Sequence, residues 1–222
     1  MDGTLIDTET QTDVAIEAVA ARYGVPGFRL PHSETRGRTW AHVAETLRAQ
    51  TGITTPVAEL MTTMLAVWND AVADAKAIPG APEAIRAATA AGIRVAIVSS
   101  SPRSVINYFA GRLGVESCVP PEARIGADSV TRGKPDPEGF LSAARALGAT
   151  PAESLVFEDS QAGLLAARGA TMRSMFITCC AADIPGNRPL ATGSLTDYRA
   201  LPSDFWSGIA SGTLAIEGRS FA

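Results

Sequence analysis

The sequence predicts an α/β protein: a doubly wound parallel sheet with an inserted all-helical unit. Three observations lead to this class. From residue 79 onward, apolar β-branched runs alternate with segments of helical periodicity. Between residues 14 and 78, helix follows helix with no convincing strand. The run RVAIVSS, residues 94–100, is typical of a parallel strand that is buried on both faces.

The helical unit is predicted from apolar spacing. Apolar residues recur at helical intervals over 10–24, 40–50 and 56–76, and Gly or Thr-Pro separates these segments. We therefore expect an all-helical cap domain over residues 14–78. Residues 1–13 and 79–222 then form the α/β core domain.

The second part of the chain alternates between the two element types. We expect helices over 81–91, 104–113, 137–147 and 161–170, strands over 94–100, 123–126, 154–159 and 172–178, and then an irregular tail. Ligands of such sheets bind beyond the carboxyl ends of the strands. The polar residues expected at that edge are Asp2, Ser99 to Ser101, Lys134, Glu158 and Asp159. One site is indicated.

Composition restricts the function classes. The chain has 222 residues, a net charge of -4, and 46% hydrophobic residues. The negative charge argues against a nucleic-acid or membrane-surface partner. No apolar run is long enough to span a membrane, and no basic segment followed by an apolar one opens the chain. We expect a cytoplasmic protein.

The three cysteines, Cys118, Cys179 and Cys180, suit neither a disulfide framework nor a zinc site. We expect them to be buried, small apolar residues in a reducing compartment.

Two adjacent carboxylates, Glu158 and Asp159, directly follow the strand residues LVF. Buried together, they repel each other and lose solvation unless a cation is present. Mg²⁺ is the expected cation because it prefers oxygen ligands and retains several waters. An acidic N-cap pair for the helix that begins near Gln161 is the alternative, and both interpretations can hold together.

Four segments occur in the order typical of one family: MDGTLIDTE (1–9), VAIVSSS (95–101), GKPDPEGF (133–140) and VFEDSQAGLLAA (156–167). With these segments, essentially the whole chain resembles the haloacid dehalogenase superfamily, in the branch with a helical cap. The resemblance implies a Rossmann-like core. It also implies a Mg²⁺-dependent phosphatase that hydrolyses a small phosphorylated metabolite, such as a sugar or polyol phosphate, through an aspartyl-phosphate.

The resemblance also implies roles for the acidic residues. Asp2 corresponds to the general acid/base, and its backbone carbonyl contacts the metal; a turn cap is the alternative. Thr4 supports the turn through its hydroxyl. Asp159 is the direct metal ligand, and Glu158 acts directly or through water.

Phosphate binding is assigned to hydroxyl and ammonium groups. Ser99 matches the second segment and is expected to bond a phosphate oxygen, with Ser100 and Ser101 sharing that role. An ordinary N-cap before Pro102 is the alternative for these serines. Lys134 is expected to offset the negative charge of nucleophile and phosphate. Considered alone, it would be an exposed loop lysine.

Selectivity is expected from the cap. Arg36 and Arg38 precede a helix in a polar turn, where related enzymes contact the substrate, so either could hold a second anionic or polyhydroxylated part of the ligand. A solvated charged face is the alternative. Trp40 and His42 are expected to be packing residues of the helix.

The family's nucleophile is an Asp two positions before Asp2. We expect the natural chain to begin upstream, with Met1 as the middle residue of Asp-Met-Asp-Gly-Thr-Leu. Without the strand that carries this Asp, its neighbours would have unpaired ladder groups and an apolar slot between helices. The alternatives are a phosphosugar mutase, or a catalytically silent binding protein if Met1 is the true start. The segment IEGR, 216–219, resembles a protease-cleavage tag. The oligomeric state is not indicated.

Overall fold

The computed structural model describes residues 1–181, 184–212 and 220–221. Its first part is helical. It contains the helices α1 (Glu9–Arg22), α2 (His32–Thr35), α3 (Trp40–Thr51) and α4 (Val57–Ala71). Helices α1, α3 and α4 pack against one another. The buried side chains Leu47, Leu60 and Trp68 fill the space between them.

The second part alternates strands and helices. The strands are β1 (Ile97–Val98), β2 (Arg124–Ile125), β3 (Leu155–Glu158), β4 (Arg173–Ile177), β5 (Gly193–Leu195) and β6 (Ser220–Phe221). The helices are α5 (Ala81–Ala90), α6 (Arg103–Arg112), α7 (Glu138–Leu147), α8 (Gln161–Gly169), α9 (Ile184–Asn187) and α10 (Phe205–Ser211).

All the strand pairs are parallel. Strand β1 pairs with β2, and β3, β4, β5 and β6 pair in that order. The predicted fold class is confirmed. The tail differs from expectation, because β5 and β6 add two strands to the sheet. Gly193 and Ser194 carry no β-branched signal, so the sequence pattern did not reveal β5.

Both faces of the sheet are covered, as expected for a doubly wound fold. Val156 belongs to a small apolar cluster with α7 and α8, whereas the next residue, Phe157, packs against the main core. Ile97 and Val98 divide in the same way between the main core and the small cluster. Successive strand side chains point to opposite faces, so β1 and β3 are each packed from two sides.

An apolar space of about 850 Å³ separates β1 from β3. It is lined by both strands, by α5 and α7, and by Tyr198 and Trp206 from the tail. We call this space the sheet cleft. No ladder joins β1 to β3 among the described residues.

The prediction for the cysteines was wrong about burial. Cys179 is exposed, and Cys118 and Cys180 are only half-buried. The adjacent pair follows β4 in a loop at the carboxyl edge of the sheet, which explains its exposure. All three are free thiols.

The predicted boundaries of the cap and core domains remain a prediction, and IEGR at 216–219 lies outside the described residues. In the described ranges, no helix is both long and apolar enough to cross a membrane.

Leu60→Ala tests whether the helical part is a packed core. Leu60 is fully buried in α4, so we expect its truncation to lower the free energy of unfolding by about 2–5 kcal/mol. Leu165→Ala is the matched control because Leu165 is exposed on α8, and we expect a loss below about 1 kcal/mol. Urea unfolding followed by circular dichroism measures both. Equal losses would contradict the packing described above.

Candidate active site

The predicted site residues converge on one small polar pocket. The pocket lies at the carboxyl ends of β1 and β3 and has a volume of about 50 Å³. The predicted residues that line it are Asp2, Arg36, Arg38, Ser99, Ser100, Ser101, Lys134, Glu158 and Asp159. Thr4 does not line it, but its hydroxyl donates to Asp159 at 2.6 Å. Residues from five separate parts of the sequence therefore meet at one place.

Three hydroxyl groups hold the Asp2 carboxylate. Thr8 donates to Oδ1 at 2.9 Å. Ser99 and Ser101 donate to Oδ2 at 3.1 and 3.2 Å. The carboxylate is therefore held in the tight turn that follows Met1, with Oδ1 directed at Thr8. Its Oδ2 is directed at the loop Ser99–Ser101 after β1, which we call the serine loop.

The serine loop does not cap the next helix. Helix α6 begins after Pro102 with no side-chain cap, and the Arg103 N–H donates to Asp128 instead. The Ser101 N–H donates to Ser99 Oγ at 3.0 Å, which tightens the loop. Ser100 differs from the other two serines, because its hydroxyl donates to the Gly37 carbonyl at 2.9 Å.

Lys134 is a buried ion-pair partner and not an exposed loop lysine. Its Nζ lies 2.7 Å from Glu158 Oε2, and its side chain is only 9% exposed. The other Glu158 oxygen accepts from the N–H and the hydroxyl of Ser160. Burial by itself disfavours the charge of Glu158, but Lys134 and these hydrogen bonds outweigh it and hold the pKa of Glu158 well below its usual range.

Asp159 has the opposite electrostatic environment. It is 2% exposed, and burial together with the neighbouring charge of Glu158 raises the pKa of Asp159 to about 7. Thr4 occupies its Oδ1. No hydrogen bond to its Oδ2 is found in the described part of the chain. A cation at Oδ2 would offset the repulsion between the two carboxylates.

Two glycines permit this crowding. Gly3 has φ +66°, and a Cβ there would lie 2.1 Å from Asp159 Oδ2. At Gly163, in the first turn of α8, a Cβ would lie 2.0 Å from the Glu158 carboxyl carbon. Glycine is therefore required at both positions for the turn and the helix to approach the carboxylates.

The donor set fits a hard divalent cation. All the candidate ligand atoms are oxygens, and Asp159 Oδ2 is the one best presented. Within the ranges that the structure describes, no group of three acidic, His or Cys side chains forms a metal cluster. The Asp2 carboxylate is directed to the serine loop, so its predicted contribution would come through its backbone carbonyl. A site with one or two carboxylates is typical of Mg²⁺, which keeps waters and takes phosphate oxygens.

The N-cap alternative for the two carboxylates is not what the structure shows. Ser160 is the N-cap of α8, and its Oγ accepts from the Gly163 N–H at 3.1 Å. Neither carboxylate therefore acts as the N-cap of α8.

The two cap arginines line the pocket but differ in their contacts. Arg36 donates to the Cys180 carbonyl of the core. Arg38 Nε donates to the Ser33 carbonyl at 3.3 Å within the helical part. Trp40 is buried and meets Trp68 edge to face, with ring centroids 5.8 Å apart. His42 is half-buried, and its Nε2 lies 2.9 Å from Glu34 Oε2.

The residues of the site that escaped the sequence analysis include Thr8, Ser160 and Gly37. Thr8 follows Asp2 by six positions, and Ser160 directly follows Asp159, so proximity to the predicted acids was the available signal. Gly37 had no such signal. A Cβ at Gly37 would lie 2.3 Å from Ser160 Oγ, so the cap loop contacts the end of β3 directly.

The chain is similar in sequence to known phosphatases. The chain is 30% identical over 187 residues to validoxylamine A 7'-phosphate phosphatase of Streptomyces hygroscopicus subsp. limoneus (77% of this chain, 79% of that protein). It is 28% identical over 180 residues to the phosphorylated carbohydrates phosphatase of Thermotoga maritima (79% and 81%). A match at 30% identity to the bifunctional riboflavin kinase/FMN phosphatase of Arabidopsis thaliana covers 77% of this chain but only 45% of that protein.

The chain is also similar to solved structures. A HAD family hydrolase from Deinococcus radiodurans, crystallised with bound phosphate and sodium, superposes with a TM-score of 0.67 at 26% identity, covering 97% of this chain and 95% of that one. The sequence model of the haloacid dehalogenase-like hydrolases matches residues 1–171. This match covers more than half of the chain, so the chain belongs to the haloacid dehalogenase-like hydrolases.

Proposed function

We propose that this protein is a Mg²⁺-dependent phosphatase that hydrolyses a sugar or polyol phosphate through an aspartyl-phosphate. One observation carries the proposal. Asp2, the serine loop, Lys134 and Asp159 surround a single pocket although they are far apart in the sequence. An acid, hydroxyl donors, an ammonium and a free carboxylate oxygen are the groups that phosphoryl transfer requires.

The nucleophile in this proposal is an Asp two positions before Asp2, upstream of Met1. Its carboxylate oxygen forms a bond to phosphorus as the ester P–O bond breaks. Asp2 gives its proton to the leaving alkoxide. In the second step, water attacks the phosphorus, passes a proton back to Asp2, and the acyl phosphate bond breaks to release inorganic phosphate.

The remaining residues bind and orient the phosphoryl group. The Ser99 hydroxyl lies within reach of both Asp2 and the pocket, so it can donate to a phosphate oxygen when one is present. Glu158 holds the Lys134 ammonium at the pocket wall. There the ammonium neutralises negative charge on the equatorial oxygens of a bound phosphoryl group. A bound Mg²⁺ would supply further neutralisation of phosphate charge, held by Asp159, the Asp2 carbonyl and, directly or through water, Glu158.

The substrate class rests on the cap and on the relatives. Arg36 and Arg38 are among the residues that line the pocket. Guanidinium groups bind anionic or polyhydroxylated ligands. One relative is named as a phosphatase of phosphorylated carbohydrates. A pocket of about 50 Å³ holds little more than a water molecule, so the cap must open to admit any such substrate.

A panel of sugar, polyol and other small phosphate esters tests the function on a chain extended upstream to include the Asp. We expect Mg²⁺-dependent release of free phosphate from a sugar or polyol phosphate. Isomerised sugar phosphate without free phosphate would show a mutase. Binding without turnover would show a silent binding protein. Either result would contradict the proposal.

Asp2→Asn tests the acid/base assignment in the same extended chain. We expect kcat to fall by about a hundredfold or more, because Asn cannot protonate the leaving oxygen. Asp7→Asn is the control, because Asp7 is exposed in the same turn and should keep full activity. Thermal unfolding of both variants checks that the fold is intact. Unchanged kcat in Asp2→Asn would refute the assignment.

Asp159→Asn tests the metal site through stability. Asp159 has a folded-state pKa of about 7, against an ordinary 3.8, so it is protonated when folded and ionised when unfolded between those pH values. Stability of the metal-free protein therefore falls as pH rises through this window. We expect Asp159→Asn to raise Tm by about 5 °C at pH 8 and to leave it unchanged below pH 4.

Mg²⁺ should raise the Tm of the wild-type chain at pH 8 but not that of Asp159→Asn. Asp70→Asn, at an exposed position of α4, is the control and should behave as wild type. Stabilisation of Asp159→Asn by Mg²⁺ would place the metal elsewhere.

A further inference from the structure

Cys179 and Cys180 form an adjacent thiol pair that the proposed phosphatase chemistry does not use. Cys179 is exposed, and Cys180 is half-buried against the main core. The two thiols lie close enough for each to alter the pKa of the other. Because the residues are neighbours in the chain, their Cα atoms are held about 3.8 Å apart. Solvent therefore reaches a pair of sulfur atoms that the chain keeps together.

The peptide unit between the two cysteines is not held by the backbone. The Cys179 N–H donates to the Thr196 carbonyl at 3.0 Å, and the Ala181 N–H donates to the Thr178 carbonyl at 3.4 Å. In the ranges that the structure describes, neither the Cys179 carbonyl nor the Cys180 N–H has a backbone partner. This peptide unit can therefore rotate without breaking a backbone hydrogen bond.

A disulfide between neighbouring residues needs such a rotation. The two Cβ atoms of a disulfide lie about 3.8 Å apart, and its Cβ–S–S–Cβ dihedral angle is close to a right angle. The side chains of adjacent residues reach this geometry when the peptide unit between them turns. The one loosely held unit of this loop is therefore the unit that has to move.

The Cys180 carbonyl joins this loop to the helical part of the chain. Arg36, which directly follows α2, donates to that carbonyl. The direction of the carbonyl depends on the φ angle of Cys180, and this angle changes when the preceding peptide unit rotates. A disulfide between the two cysteines therefore displaces the acceptor that Arg36 uses.

We propose that Cys179 and Cys180 are an oxidation site at which hydrogen peroxide forms a disulfide within the chain. Closure of the disulfide breaks the hydrogen bond from Arg36 to the Cys180 carbonyl and loosens the contact between the helical part and the core. Reduction by a dithiol restores both the thiols and the hydrogen bond.

The oxidation is balanced in two steps. In the first, the Cys179 sulfur bonds to one peroxide oxygen as the O–O bond breaks, which gives a sulfenic acid and water. In the second, the Cys180 sulfur bonds to the Cys179 sulfur as the S–O bond breaks. The departing hydroxide takes the Cys180 thiol proton and leaves as water. Two thiols lose two electrons, and one peroxide molecule is reduced to two water molecules.

The environment of the pair makes this oxidation slow and reversible. Burial raises the pKa of both thiols, and the neighbouring Cys179 adds to this effect at Cys180, whose pKa is about 12. Protonated thiols react slowly, so the site responds to sustained exposure to peroxide. Most disulfides join Cα atoms at least about 4.4 Å apart, so a bond between neighbours is strained and readily reduced.

The chemical test uses the 222-residue chain with Cys118→Ser, which leaves only the adjacent pair. After excess hydrogen peroxide, mass spectrometry of the whole chain should show the loss of two hydrogen atoms, and dithiothreitol should restore them. Peptide mapping should place the bond between residues 179 and 180, and non-reducing electrophoresis should show a single chain. Cys179→Ser and Cys180→Ser, made in the same background, should show no such loss. Added oxygen atoms in place of the disulfide, or a disulfide between two chains, would overturn the proposal.

The structural test measures hydrogen exchange in residues 35–40. We expect exchange in this segment to be about tenfold faster in the oxidised chain than in the reduced chain, because a hydrogen bond to a charged donor is lost. Arg36→Met should exchange at the fast rate when reduced, with no further increase on oxidation. Circular dichroism checks that each variant is folded. Neither test needs turnover, so the result is independent of the proposed function.

Two controls isolate the hydrogen bond between Arg36 and Cys180. Arg38 donates within the helical part, to the Ser33 carbonyl, so Arg38→Met should still show slow exchange when reduced and fast exchange when oxidised. Cys180→Ser keeps the carbonyl but cannot form the disulfide, so its exchange should stay slow with or without peroxide. Unchanged exchange in the oxidised chain, or a further increase on oxidation of Arg36→Met, would overturn the proposed link between the disulfide and Arg36.

Discussion

The repulsion between Glu158 and Asp159 is the constraint on which the rest of the site depends. Two adjacent carboxylates at the buried end of β3 cannot both be ionised without compensation. Lys134 forms an ion pair with Glu158, and Ser160 donates hydrogen bonds to its other oxygen. Asp159 accepts one hydrogen bond from the Thr4 hydroxyl, and its pKa is raised. In the proposed site, this difference leaves Asp159 as the carboxylate that is more available to a cation.

The same constraint explains the local choice of residues. Gly3 and Gly163 are needed because any side chain would collide with the carboxylates. Ser160 both bonds to Glu158 and begins α8, so one hydroxyl serves the electrostatics of the site and the start of a helix. The turn after Met1 brings Asp2 to the serine loop and Thr4 to Asp159. Core packing and site chemistry are therefore specified by the same few residues.

Much of this could be predicted from the sequence, and the reasons for success and failure are physical. Strong apolar runs such as 94–100 and 154–159 indicated parallel strands, and the residues after them indicated the site. The orientation of Asp2 toward three hydroxyls, the capping role of Ser160 and the contact of Gly37 with the core depend on tertiary approach, which spacing does not encode. Strand β5 was missed because Gly193 and Ser194 have weak strand propensity. These residues are in a strand because they pair with the neighbouring strand β4. Exposure of Cys179 was missed because loop position overrides the usual burial of cysteine.

The closed cap is held to the core by bonds to main-chain carbonyls. Ser100 donates to Gly37, and Arg36 donates to Cys180, in each case at the backbone oxygen. These hydrogen bonds depend on the path of the main chain and not on the side chain of the accepting residue. A substitution of the Cys180 side chain therefore leaves this bond in place, whereas a change in the main-chain path of the loop after β4 would break it.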